Sequence, residues 1–255
     1  MVFEQNFFEK YKNRLTKILD GVYSAFDCQI LYAAVREIKP QKVVEMSPGK
    51  GRTTSCIAQA LKDNGDSVEY FLFEKQDDLL NTAVSFLKNF PNINIHPGSN
   101  VIDNKNLDLI NDIDFLMIDS NHDCLLSKYY METLFPKVKN GGLIHIHDIY
   151  YDRNNNEWED TGLKFLETNP GQYKHPDFFS EIRLLEIYGS EFFSKYYTGK
   201  IDRYEEDEIR DFIIRNNIDF YSTKYVIQKL GLLDNVVGES PSSCSIYFKY
   251  NKLYR

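Results

Sequence analysis

The chain has 255 residues, 42% apolar and 27% charged, which excludes collagen-like, disordered and disulfide-scaffold proteins. Thirty Lys and Arg stand against 38 Asp and Glu, a formal charge of −8. That balance argues against sequence-independent nucleic-acid binding, which needs basic surface to displace counterions. Aromatic residues reach 15%, with 18 Tyr and 18 Phe but one Trp, and they either fill core or line a pocket.

Phe3, Phe7, Phe8, Tyr11, Leu15, Ile18 and Leu19 recur at helical spacing and predict an amphipathic helix over 3–19. A second helix is expected over 25–38, stopped by Pro40. The chain then alternates. Strands are predicted at 42–46, 68–73, 93–96, 114–118 and 143–147, with helices at 53–61, 77–89 and 122–139. Asn140-Gly141-Gly142 reads as the stop of the last of these helices. Residues 150–177 are polar and turn-rich, helices are expected over 178–197 and 204–216, and a last strand over 245–250. Strands alternating with helices predict βαβ units and a doubly wound α/β sheet.

No run approaches the roughly 18 apolar residues that would span a bilayer. Charges at Glu4, Glu9, Lys10, Lys12 and Arg14 leave no apolar core for a secretory signal. Cys28, Cys56, Cys124 and Cys244 are scattered singly, which argues against structural zinc and for reduced thiols. A cytoplasmic protein with no membrane partner is the expectation.

In an open α/β sheet, ligands bind outside the carboxyl ends of the strands. The residues expected there are Ser47-Pro48-Gly49-Lys50-Gly51, Glu74, Ser99-Asn100, Asp119-Ser120-Asn121-His122 and His147-Asp148. The first turn carries Gly49 and Gly51, but Thr54 falls where a dinucleotide fingerprint has its third glycine. Glu74 follows the second strand at a spacing where a carboxylate accepts ribose hydroxyls. Glu45, inside an apolar strand, needs partners: a cationic ligand, or donors of the turn itself. His145 and His147 alternate on one strand and share a face; a core histidine is the plainer reading for His145.

These residues resemble a known family. The run Val43-Val44-Glu45-Met46-Ser47-Pro48-Gly49-Lys50-Gly51-Arg52-Thr53-Thr54 is similar to the first motif of class I S-adenosylmethionine-dependent methyltransferases, in the branch with an E-x-S-P-x-x-G-x-[ST]-T loop. Ile118-Asp119-Ser120-Asn121-His122 resembles that branch's D-[GS]-x-H strand end. Gly141 to Ile149 resembles its GG-x-x-x-x-HD-I strand. The likeness spans 25–150, with a further echo in Ser243 to Phe248.

The resemblance implies a Rossmann-like, mostly parallel seven-stranded sheet with helices on both faces. It implies one domain over 1–255: N-terminal helices to 40, a cofactor core over 41–150, an acceptor-side insertion over 151–200, and a C-terminal helix and strands. S-adenosylmethionine would be the cofactor. Glu45 and the Ser47–Gly51 loop would hold its methionine part and Glu74 its ribose, with Ser99 and Asn100 near the adenine and Asp119 facing cofactor or substrate. Pro48, Thr53, Thr54 and Ser120 complete the expected cofactor set. His122, His147 and Asp148 are the catalytic candidates, a histidine near its ordinary pKa being suited to take a hydroxyl proton.

Some relatives bind a divalent metal through acids after the fourth and fifth strands. Asp119 and Asp148 are oxygen donors suited to Mg²⁺, but Ile149 stands where a second acid is expected, so no ligand set is assigned. The expected acceptor is a small molecule or glycan hydroxyl, and a homo-oligomer stays open. Two other readings stand beside this one: a nicotinamide-dependent oxidoreductase and a non-catalytic binding protein with the same fold. Tyr150, Tyr151, Trp158, Phe165, Tyr173, Phe178 and Phe179, after the fifth strand, are expected to wall the acceptor site.

Overall fold

The computed structural model describes residues 10, 19, 25–101, 107, 108, 110–120, 124–147, 189–196, 205–222 and 245–253. The elements in chain order are α1 (Ala25–Ile38), β1 (Lys42–Met46), α2 (Arg52–Asn64), β2 (Val68–Phe73), α3 (Asp77–Leu87), β3 (Ile93–Gly98), β4 (Ile113–Ile118), α4 (Cys124–Tyr129), β5 (Val138–Ile146), α5 (Ser190–Tyr196), α6 (Glu205–Arg215), β6 (Phe220–Ser222) and β7 (Ile246–Lys249). The seven strands form one sheet in the order β3-β2-β1-β4-β5-β7-β6. Strands β1 to β5 run parallel, and β7 is antiparallel to both of its neighbours. The predicted doubly wound, mostly parallel sheet is the observed one.

Period-2 alternation sends each strand's side chains to opposite faces, and each face has its own core. Val43, Tyr70, Leu72, Phe115, Met117, Leu143 and Tyr247 pack under α1, α2 and α3. Val44, Met46, Phe71, Phe73, Leu116, Ile118, Ile144, Ile146 and Phe248 pack under α4, α5 and α6. Much of the aromatic excess is core of this kind. Phe135 alone meets the rings of Tyr130, Phe212, Phe248 and Tyr250.

Three boundaries depart from expectation. Strand β3 runs on to Gly98 through Pro97. It is an edge strand with β2 as its one partner, so the missing proline N–H faces away from the ladder. The helix expected over 122–139 is regular only at Cys124–Tyr129, then widens to a π turn at Tyr130–Leu134 and tightens to a 3₁₀ turn at Phe135–Lys137, where Pro136 sits in the first turn. Strand β5 therefore starts at Val138, and Asn140-Gly141-Gly142 lies within it rather than ending a helix. Pairing jumps from Ile113–Val138 to Phe115–Leu143, and Tyr250 exchanges backbone hydrogen bonds with Gly141 and Gly142. Gly142 has no room for a Cβ, which would sit 2.7 Å from Val138 Cγ1 and 2.8 Å from the Ile113 carbonyl oxygen.

Of the helix expected over 178–197, Ser190–Tyr196 is present, preceded by Gly189 at φ +81°. The short β6 was not anticipated. The helix predicted over 3–19 falls almost wholly outside the described residues. Among the described residues, no helix is long and apolar enough to cross a membrane.

Candidate functional site

Five parallel strands deliver their carboxyl ends to one edge of the sheet. Past the last strand residue, the ladder continues by one rung at four places. Ser47 N–H donates to the Phe73 carbonyl (2.8 Å), Glu74 N–H to Gly98 (3.1 Å), Asp119 N–H to Met46 (3.3 Å) and His147 N–H to Ile118 (2.9 Å). Glu74, Ser47, Asp119 and His147, 100 residues apart in sequence, thus become consecutive positions on one rim. Ser99 and Asn100 follow β3 at its outer end, with Val101 tied down by the Tyr129 hydroxyl (3.0 Å).

The glycine turn bends through left-handed backbone at Ser47 (φ +57°), Gly49 (+53°) and Gly51 (+86°), closed by Gly51 N–H to the Pro48 carbonyl at 2.8 Å. Ser47 holds this conformation without being glycine, a strain often found at binding sites. A Cβ on Gly49 would meet nothing within 4 Å among the described residues; one on Gly51 would sit 2.9 Å from Leu19 Cδ1. Gly51 caps α2, whose first N–H groups have no partner within the helix.

Two acids brace this turn. Glu45 lies behind it, 0% exposed. Thr53 donates its hydroxyl to Oε1 at 2.6 Å, while Thr54 and Tyr70 donate to Oε2 at 2.8 and 2.7 Å. Burial pushes the Glu45 carboxyl up from its ordinary value; the three hydroxyls pull it down and the charge of Asp119 adds to the rise. Glu74 braces from the side, accepting Gly49 N–H on Oε2 (3.2 Å) and Gln76 N–H on Oε1 (3.0 Å).

Of the two kinds of partner open to Glu45, donors within the protein are the ones present. Glu45, Thr53 and Thr54 spend their polar atoms on one another behind the turn, because β1 alternation points Glu45 toward α2. Tyr70, the third hydroxyl, was missed: nothing local marks it, and the β1–β2 register alone brings it to Glu45.

At the other end of the rim, His147 Nδ1 lies 3.2 Å from Asp119 Oδ1. Beside Asp119, the Ser120 hydroxyl oxygen is buried and has no hydrogen-bond partner among the described residues, a state that a bound polar group relieves. His145, two residues back, is fully buried, with Nδ1 3.1 Å from the Ile246 carbonyl and its ring stacked on Tyr247 at 4.0 Å. Burial and nearby His147 hold its pKa well below 6.5, so it is a neutral core histidine. His122, Asp148 and the aromatic run from Tyr150 to Phe179 lie outside the described residues.

The rim suits a cofactor with a nucleoside and a polar tail: the Gly49 backbone, the Glu74 carboxylate and Ser120 all stand at the same edge. Asp119 commits Oδ1 to His147, and no group of three or more His, Cys, Asp or Glu among the described residues is placed to hold an ion.

The fold defines a Rossmann-like α/β protein. Residues 46–149, from the end of β1 to just past β5, match a family model described as a methyltransferase domain. Among solved structures, the chain is similar to the O-methyltransferase TomG from Streptomyces achromogenes, involved in tomaymycin synthesis and in complex with S-adenosylmethionine, with TM-score 0.50 and 11% identity over 98% of this chain and 87% of that one. It is likewise similar to a Staphylococcus aureus protein provisionally named a caffeoyl-CoA O-methyltransferase, with TM-score 0.50 and 14% identity over 91% and 86%. At these identities the likeness is one of fold. No curated protein matches the chain.

Proposed function

We propose that the chain is an S-adenosylmethionine-dependent methyltransferase acting on a hydroxyl of a small molecule or glycan. The observation that carries this reading is the single rim, inside the segment that matches the methyltransferase domain, where the glycine turn, Glu74 and the Asp119–His147 pair stand side by side. When bound, S-adenosylmethionine supplies an electrophilic methyl group. The protein's part is to position the two reactants, exclude water and take up the acceptor's proton.

The Ser47–Gly51 backbone and the start of α2 receive the methionine part, and Glu74 receives the ribose through lone pairs left over from Gly49 and Gln76. Ser99 and Asn100 flank the adenine. His147 takes the hydroxyl proton. His122 and Asp148 remain catalytic candidates on the same reading, and the aromatic segment 150–180 walls the acceptor.

A nicotinamide oxidoreductase is disfavoured because Thr54, where the third glycine would fall, is locked onto Glu45. Calorimetry with S-adenosylmethionine, its demethylated product and NAD tests all readings at once. Binding of the first two and not the third is expected; no binding of the first two at millimolar concentration removes the proposal and leaves the non-catalytic reading.

A further inference from the structure

We propose that Asp119 is a positioning residue for His147 rather than a contact of the cofactor: facing each other across the ends of β4 and β5, the pair fixes which ring nitrogen is basic. The sheet register makes this an adjacent cross-strand pair. Met117 pairs with His145 and Ile118 with Ile146, and the next positions on the two strands are Asp119 and His147. Both backbones are pinned, Asp119 N–H on Met46 and His147 N–H on Ile118, so the side chains have little freedom to drift apart.

Nδ1 and Oδ1 are 3.2 Å apart, at the long end of the range for an N–H···O hydrogen bond. A carboxylate only accepts, so the hydrogen belongs to Nδ1. In the neutral ring the basic lone pair is then on Nε2. The other titratable groups facing the pair among the described residues are His145, two residues back on β5, and Glu45, behind Asp119 on β1. His145 is held neutral by burial and does not compete for Asp119, since its own Nδ1 donates to Ile246.

The assignment also explains the two acids of the rim as a division of labour. Glu74 spends its carboxylate on the cofactor turn, and Asp119 spends its own on the imidazole at the far side. On the methyl-transfer reading, on which the chemical role rests, the hydroxyl proton passes to Nε2 as the oxygen bonds the methyl carbon. The carbon–sulfur bond breaks with its electron pair going to sulfur. The imidazolium, stabilised by Asp119, later returns the proton to water.

The test uses the full chain labelled with ¹⁵N histidine, at a pH where the ring is neutral. Its five histidines are resolved by long-range ¹H–¹⁵N spectra, with His147 assigned by its loss in His147→Gln. Wild type is expected to show His147 with hydrogen on Nδ1, and Asp119→Ala to shift it to the commoner Nε2–H form. Asp119→Asn, which keeps the volume, serves as the second variant should alanine unfold the edge. Calorimetry then separates the two roles: in the folded variant the dissociation constant of S-adenosylmethionine changes less than about threefold. Hydrogen on Nε2 in the wild type, or a loss of affinity of about tenfold or more in a folded Asp119 variant, overturns the proposal. Failure of the wild type itself to bind S-adenosylmethionine removes the methyl-transfer reading, while the tautomer still decides the pairing.

Discussion

Replacing Glu45 by alanine tests the physical account of the site most directly. Its carboxylate serves three hydroxyls at 2.6 to 2.8 Å, and all four side chains are buried. Each buried donor left without an acceptor costs about 1–3 kcal/mol, so three would cost several. Part of that is offset, because the variant no longer buries a carboxyl that burial disfavours. The net loss expected is about 2–4 kcal/mol, the cost of the orphaned hydroxyls less the burial penalty removed. A domain with a typical stability of about 5–15 kcal/mol stays folded but marginal.

Urea unfolding followed by circular dichroism measures this, with an unchanged m value showing that the unfolded state is the same. A double-mutant cycle with Tyr70→Phe should give a coupling of about 1–3 kcal/mol. The pH dependence carries a sign. The folded pKa of Glu45 is raised, so its favourable contribution is complete below the ordinary value of 4.5 and is lost as pH rises through the folded pKa. The stability gap between wild type and Glu45→Gln should therefore be widest in acid and narrow upward. A Glu45→Ala loss below about 0.5 kcal/mol, or no coupling to Tyr70, would refute the role assigned to this acid.

Three further outcomes follow from the same geometry. His145 has a depressed folded pKa, so the stability it supports is present above 6.5 and lost as pH falls toward that folded value. His145→Gln should flatten the acid limb of a stability profile by up to about 1.4 kcal/mol per pH unit. Glu74→Ala removes the acceptor for Gly49 and Gln76 as well as the proposed ribose contact, and calorimetry should show affinity for S-adenosylmethionine falling about tenfold or more, at least about 1.4 kcal/mol. Gly142→Ala drives a methyl into the Ile113 carbonyl and should cost about 1–3 kcal/mol in urea, more than Gly49→Ala, where the methyl meets open space and only the left-handed backbone resists.

What could be read in the amino-acid order is local in origin. The runs Lys42–Met46 and Val68–Phe73 are apolar, short and bounded by turn residues, and both are strands with the expected ends. Gly65 stops α2 in a left-handed cap, as its position suggests. The residues of the rim were legible too, because parallel strands must deliver their carboxyl ends to one edge whatever their order. Partnership was not legible. Pro97 belongs to a strand because β3 is an edge, and Asn140-Gly141-Gly142 lies in β5 because Tyr250, over a hundred residues on, pairs with it. That Glu45 anchors Thr53, Thr54 and Tyr70, and that Asp119 meets His147, came from the register between strands. Propensity and periodicity act over a few residues and are carried by any one segment; register is a property of two segments, and only the packed sheet sets it.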